Sequence, residues 1–431
     1  MKRIVIAFLA AAALMLAAGQ AYAQRLSVRS EVRADRNLAC GPDIVYNFDV
    51  PALTPAPEGY EPVYVGVYAR HGSRYAYTAK TYTRTRAVLE KGAAEGNLTP
   101  LGEELCAAVV AFHDKYGLRV GDLTRKGWDQ HRRIAAIMLD SFPEAFPQGA
   151  RIDACVSPSL RSAISMTSFC LSMGQKRPDL DIYEHQSLED LPAARPNMGD
   201  NPNPLPSCVP PCPSEAVSVP EYFDRMFSWK SLLSKIFKDP VKGIGKYEPW
   251  SIMDYFYMLY AGMQSLDPEV VPNLPEVFTD EEFARLWDAD NYLRYREYYP
   301  YMSSCCSIWD DIIAKADGRL AAGERGADLR FGHDHCLLTL LMIVGMEGFG
   351  VFPERAEDVA LYFQNFRSPM ASNIQAVFYR PLSGAGETLV KFVFNGEEAT
   401  VDALSPVSGP YYRWDDFKAL YASRRKLFVA E

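Results

Sequence analysis

The segment that most restricts the fold is Val63-Tyr64-Val65-Gly66-Val67-Tyr68-Ala69. It is an unbroken apolar, β-branched and aromatic run, and it ends directly in Arg70-His71-Gly72-Ser73-Arg74-Tyr75. A strand with one wet face alternates polar and apolar residues, so an unbroken run belongs in a sheet covered on both sides. Further strands are expected at 152–156 and 328–332, and late ones at 374–379 and 389–394, the last turning at Asn395-Gly396. Ser157-Pro158-Ser159 reads as a cap and first turn before a helix to Met173, and an apolar helix is expected from about Cys336 to Met346. Such an order predicts an α/β fold: a central, mostly parallel sheet with helices on both faces.

Between Pro178 and roughly Gly326 the texture changes. A proline-dense loop from Arg195 to Pro220 is followed by helical stretches loaded with aromatics, among them Tyr222, Phe223, Tyr257, Tyr292 and Tyr298. Helical segments without strands, set between two α/β portions, predict an inserted, mainly α-helical cap whose aromatics form its core. The expected organisation is a leader at 1–23, an α/β domain from 24–177 and 327–431, and a cap at 178–326. The length of 431 residues suits such a two-part chain.

The leader combines Lys2 and Arg3, an apolar run, and Ala21-Tyr22-Ala23 before Gln24. This is the pattern of a cleavable export signal, so a periplasmic or secreted protein without a membrane span after leader removal is expected. In an oxidising compartment Cys208 and Cys212 are candidates for a local disulfide, while Cys155, Cys170 and Cys336 read as small core residues. A net charge of −9 gives no broad cationic surface, so nucleic acid is not an expected partner. A small anion in a local basic pocket is compatible with it. Oligomeric state is not legible.

The charged clusters fall at strand ends. The first strand runs into Arg70, His71 and Arg74, the second is followed by Arg161, and the third by His333-Asp334-His335. In open α/β sheets ligands bind at the carboxyl ends of strands. Several guanidiniums gathered there need an anion, and their planar forks fit phosphate oxygens. Two histidines and a carboxylate beside them supply a nucleophile and a proton donor, which points to phosphoryl transfer.

Arg70-His71-Gly72-Ser73-Arg74 resembles the RHGxR signature of the histidine phosphatases. Gly332-His333-Asp334 resembles the HD element of their acid phosphatase and phytase branch, Leu123-Thr124-Arg125-Lys126-Gly127 that branch's LTxxG segment, and Ser157 to Ser162 the region of its middle arginine. Spacing around 123–161 and the 390–398 segment is most similar to the multiple inositol polyphosphate phosphatase group. That group usually carries His-Ala-Glu where this chain has His333-Asp334-His335. The resemblance implies a histidine acid phosphatase hydrolysing phosphomonoesters, plausibly myo-inositol polyphosphates, through a phosphohistidine. By the same resemblance His71 is the nucleophile, Asp334 the proton donor, and Arg70, Arg74, Arg161 and His333 hold the phosphate. No cofactor and no metal is implied.

Lys80, Arg84 and Arg86, soon after the signature, and His335 are candidate substrate-binding residues, and the cap adds Lys230, Lys235, Lys238, Lys242 and Lys246. Three other readings stay open: a phosphatase for simple sugar phosphates or other monophosphates, a non-catalytic phosphoanion-binding protein, and a metal-dependent hydrolase using His333 and His335. Intact His71 and Asp334 argue against the second, and the unexplained signature segment against the third.

Overall fold

The structure, a computed structural model, describes residues 30–384 and 386–431. The leader expectation at 1–23 falls outside them. One mixed sheet is formed by β1 (Tyr60–Arg70), β2 (Arg151–Val156), β3 (Asp181–His185), β4 (Gly326–Gly332), β5 (Asn373–Pro381), β6 (Leu389–Phe394), β7 (Glu397–Ala399) and β8 (Tyr411–Arg413). Its order is β3-β2-β4-β1-β5-β6-β7, with β8 paired to β6. Strands β3, β2, β4 and β1 are mutually parallel, and β5 and β6 continue antiparallel.

The absence of alternation in β1 follows from its place between two cores. Val65, Val67 and Ala69 pack with Ile134 and Met138 of helix Arg125–Ser141 and with Met166 and Phe169 of helix Leu160–Lys176. Tyr64 and Tyr68 join the opposite core, which includes Ile308 and Ile312 of helix Met302–Ala322. Both valines are essentially inaccessible, each contributing about 1.5–3 kcal/mol of burial. The register matters for function. Arg70 lies opposite Gly332, and Val156 opposite Phe331, so β1, β2 and β4 end at one level.

Two elements within the 178–326 segment pack with the sheet. β3 lies inside 178–326 yet pairs with β2, extending the sheet. Helix Met302–Ala322, also inside that segment, covers the sheet: Ile312 sits over Gly66 of β1, and Arg319 pairs with Asp328 of β4 at 3.3 Å. Insert aromatics and sheet residues share one continuous core, with Tyr222 stacked on Tyr292 at 4.1 Å.

The expected disulfide is not formed, because the two thiols turn onto different neighbours. Cys212 Sγ lies 2.9 Å from the Tyr295 hydroxyl, and Cys208 Sγ is 3.8 Å from the Lys426 carbonyl. Cys155, Cys170 and Cys336 are buried. Among the described residues no helix is long and apolar enough to cross a membrane.

Candidate active site

The loop leaving β1 is pinned on three sides. His71 N–H donates to the Gly332 carbonyl, Arg70 N–H to Ser372, and Ala371 N–H to the His71 carbonyl. Behind it, helix Arg125–Ser141 approaches end-on. The Thr124 hydroxyl caps that helix by accepting from Gly127 N–H at 3.2 Å, and it donates to the Ser73 carbonyl at 3.0 Å. Gln130 accepts from Ser73 N–H at 2.9 Å, and Ser165 from Gly72 N–H at 3.1 Å. Gly72 and Gly127 meet backbone to backbone, and a Cβ on Gly127 would come within 2.7 Å of Ser73 N. The 123–127 segment thus forms the backing of the His71 loop.

His71, Arg74, Arg161, His333, Asp334 and His335 line one cavity of about 290 Å³. Arg70 lies beneath it, fully buried, with Nη2 3.8 Å from Asp334 Oδ2. One edge of Arg70 donates to the Pro42 and Ser368 carbonyls, while its Nε and Nη2 have no hydrogen-bond partner. Arg74 faces Asp43 at 3.4 Å, and Arg161 Nε is likewise buried and unpartnered.

His71 Nδ1 lies 3.0 Å from the carbonyl of Gly72, 2% of the residue being exposed. A carbonyl only accepts, so Nδ1 carries the proton and the neutral ring keeps its lone pair on Nε2. Burial first, then Arg161, Arg70 and Arg74, hold the His71 pKa well below its ordinary value. His333 packs edge-on to His71, centroids 5.6 Å apart, and lies 3.1 Å from the Ser157 hydroxyl through Nε2. Its pKa is also depressed, by burial and then by His335, Arg195 and Arg161.

Asp334 opens helix Asp334–Val344. Burial alone would raise its pKa, but Arg70, His335, Arg74 and Arg294 outweigh that and hold the carboxyl well below the usual carboxylate range. Burial together with Arg74 lowers the Arg161 guanidinium to about 10. Mutual repulsion of this kind marks a site with more positive charge than its own carboxylates balance.

The other candidates are placed elsewhere. Lys80 and Arg84 lie on helix Ala79–Ala94, Arg84 donating to the Tyr247 hydroxyl at 2.7 Å. Arg86 is tied to Glu90 and Asp114. Lys235 pairs with Glu282, Lys238 donates to the Gly96 carbonyl, and no cap lysine lines the cavity. Charge density along the chain does not by itself bring a cation to the cavity: Arg84, Arg86, Lys235 and Lys238 have partners of their own.

In their place the cavity holds residues that sequence reasoning missed: Arg195 and Asn197 from one loop, and Arg294, Glu297 and Tyr298 from helix Asp280–Tyr298. The spacing 290, 294, 297 and 298, a polar stripe on an aromatic helix, is the signal that marks them. His335 donates from Nε2 to Asn197 Oδ1 at 3.2 Å and stacks on His333 at 7°. Among the described residues no group of three or more His, Cys, Asp or Glu is arranged to hold a metal ion.

No family model and no curated protein matches the sequence. Solved structures do match by shape. The multiple inositol polyphosphate phosphatase of Bifidobacterium longum, in complex with inositol hexasulfate, aligns with a TM-score of 0.68 at 17% identity, over 90% of this chain and 98% of that one. The phytase from D. castellii aligns with a TM-score of 0.63 at 15% identity, over 90% and 85%. Hafnia alvei phytase, in complex with myo-inositol hexakis sulphate, gives 0.52 at 12% identity, over 86% and 98%. Across nearly its whole described length, the chain has the α/β fold that these phosphatases share.

Proposed function

We propose that this chain is a phosphomonoesterase that works through a phosphohistidine. The observation that carries the reading is His71: a buried imidazole with Nδ1 committed to a carbonyl and Nε2 free, in a cavity lined by Arg74 and Arg161 with Arg70 beneath it. Nε2 attacks phosphorus as the bond to the leaving oxygen breaks, and the guanidiniums hold the equatorial oxygens of the transition state. Asp334 gives its proton to the departing alcohol. Water then cleaves the N–P bond with the carboxylate as base, regenerating His71.

The low Asp334 pKa bears on this order of events. The same cations that hold it ionised are those a phosphate dianion would neutralise. Substrate binding therefore raises the carboxyl toward the range in which it can carry a proton.

Polyphosphorylated inositols are the substrate class we favour. The support is Arg195 beside the phosphate-binding arginines, and the inositol sulfate ligands named for two structures of the same fold. Lys80, Arg84 and Arg86 no longer contribute to that reading. We also propose the α/β domain with its inserted helical cap as the enzyme's organisation, and export by the 1–23 leader. Phosphate release from phytate, glucose phosphates, nucleotides and p-nitrophenyl phosphate, with and without excess chelator, tests it. The expected result is chelator-resistant release, highest in kcat/KM on phytate. No release from any ester would favour the binding-only reading, and loss restored by a divalent metal the metal-dependent one.

A further inference from the structure

Resting on the reading of Asp334 as the acid, one contact from the insert deepens it. Tyr298, the last residue of helix Asp280–Tyr298, donates its phenol O–H to Asp334 Oδ2 at 3.0 Å. Arg70 Nη2 approaches the same oxygen at 3.8 Å. Among the described residues Oδ1 makes no hydrogen bond, and Asp334 lines the cavity. We propose that Tyr298 is a positioning residue for Asp334: its O–H fixes Oδ2 as the acceptor oxygen, so that the proton given to the leaving group is carried on Oδ1.

The physical ground is the asymmetry between the two oxygens. A carboxylic acid with one oxygen accepting from a phenol and facing a guanidinium places its proton on the other. When that proton moves from Oδ1 to the departing alkoxide as the P–O bond breaks, the charge left on Asp334 is met on Oδ2 by partners already in place.

Tyr298 is held for this role. Its ring lies against Phe363 and His335, with centroids at 6.4 and 5.7 Å. One turn earlier Arg294 is fixed between Asp290 and Glu297, both at 3.1 Å, and Asn365 donates to Asp290 at 2.9 Å. Burial and then Asp334 push the Tyr298 phenol well above its usual pKa, so it remains a donor. The helical insert thereby orients a group of the α/β portion.

The test compares Tyr298→Phe and Asp334→Asn in the full chain on glycerol 2-phosphate, whose alkoxide needs a proton, and on p-nitrophenyl phosphate, whose phenolate does not. Tyr298→Phe is expected to lower kcat on glycerol 2-phosphate about tenfold and on p-nitrophenyl phosphate less than about threefold, the effect of one hydrogen bond to a charged group. Inhibition by inorganic phosphate and KM should stay within about threefold, since the arginine contacts are untouched. If Phe at 298 does not fold, Tyr298→Met, which also lacks the hydroxyl, must show the same selective loss. Equal losses on both esters, beside an Asp334→Asn loss confined to the alkyl ester, would overturn the role of Tyr298 and leave Asp334 as the acid. Equal losses in Asp334→Asn itself would overturn the acid assignment and this proposal with it.

Discussion

His131 illustrates how burial sets protonation around this site. It lies beneath the His71 loop with its ring against Phe331 and Phe169, centroids at 5.6 and 6.4 Å. Burial, offset in part by the Arg70 carbonyl, lowers its pKa to about 3. In the unfolded chain the same ring takes up a proton below about 6.5. Between those values the unfolded state binds more protons, so this group's contribution to stability is lost as pH falls. The cost at pH 5 is about 2 kcal/mol. His131→Phe removes it, and its melting temperature relative to the parent should be a few degrees higher at pH 5 than at pH 8. The same difference at both pH values, followed by calorimetry, would contradict the assignment of a neutral His131. For His71 the same physics keeps the proposed nucleophile unprotonated in mildly acidic solution.

At the scale of elements, the loop after β1 and the helix Arg125–Ser141 behave as one unit because two glycines let their backbones touch. Gly127→Ala places a methyl against Ser73, where the neighbours are backbone atoms that cannot rotate away. If His71 is the nucleophile as proposed, it should lower kcat/KM by about tenfold or more, the penalty of displacing a positioned group. Gly262→Ala, where an added Cβ meets nothing within 4 Å, should leave both activity and melting temperature near the parent's. Equal effects of the two substitutions would show that the contact does not position the loop.

How legible such elements were in the sequence followed from how local their causes are. β1 and β6 stood out because strands buried on both faces carry no alternation, and β6 spans Leu389–Phe394 as expected. β3 was not seen: as an edge strand, Asp181–His185 is largely accessible, and its run of five carries no alternation that marks a strand. The cationic strand ends were readable because parallel pairing brings them to one level. Arg195, Arg294 and Tyr298 were not, since only packing of the insert across the sheet brings them to the cavity.

In the whole molecule an acidic chain builds a cationic pocket. The net charge is −9, yet the arginines at the strand ends exceed the carboxylates that face them, and their partner-free Nε and Nη groups remain available to an anion. The continuous core joining insert and sheet keeps that arrangement from relaxing, which is the condition for preorganised charge to stabilise a transition state. On this view the arginines account for binding and His71 for bond making, and the two are separable. The direct measurement is a rapid mix of the full chain with p-nitrophenyl [32P]phosphate, quenched in alkali, in which phosphohistidine survives, followed by peptide mapping. Label on the peptide carrying His71 is expected, together with its absence in His71→Ala, turnover at background, and inhibition-level binding of inorganic phosphate retained. Label on another residue, or turnover in His71→Ala within about tenfold of the parent, would contradict a covalent role for His71.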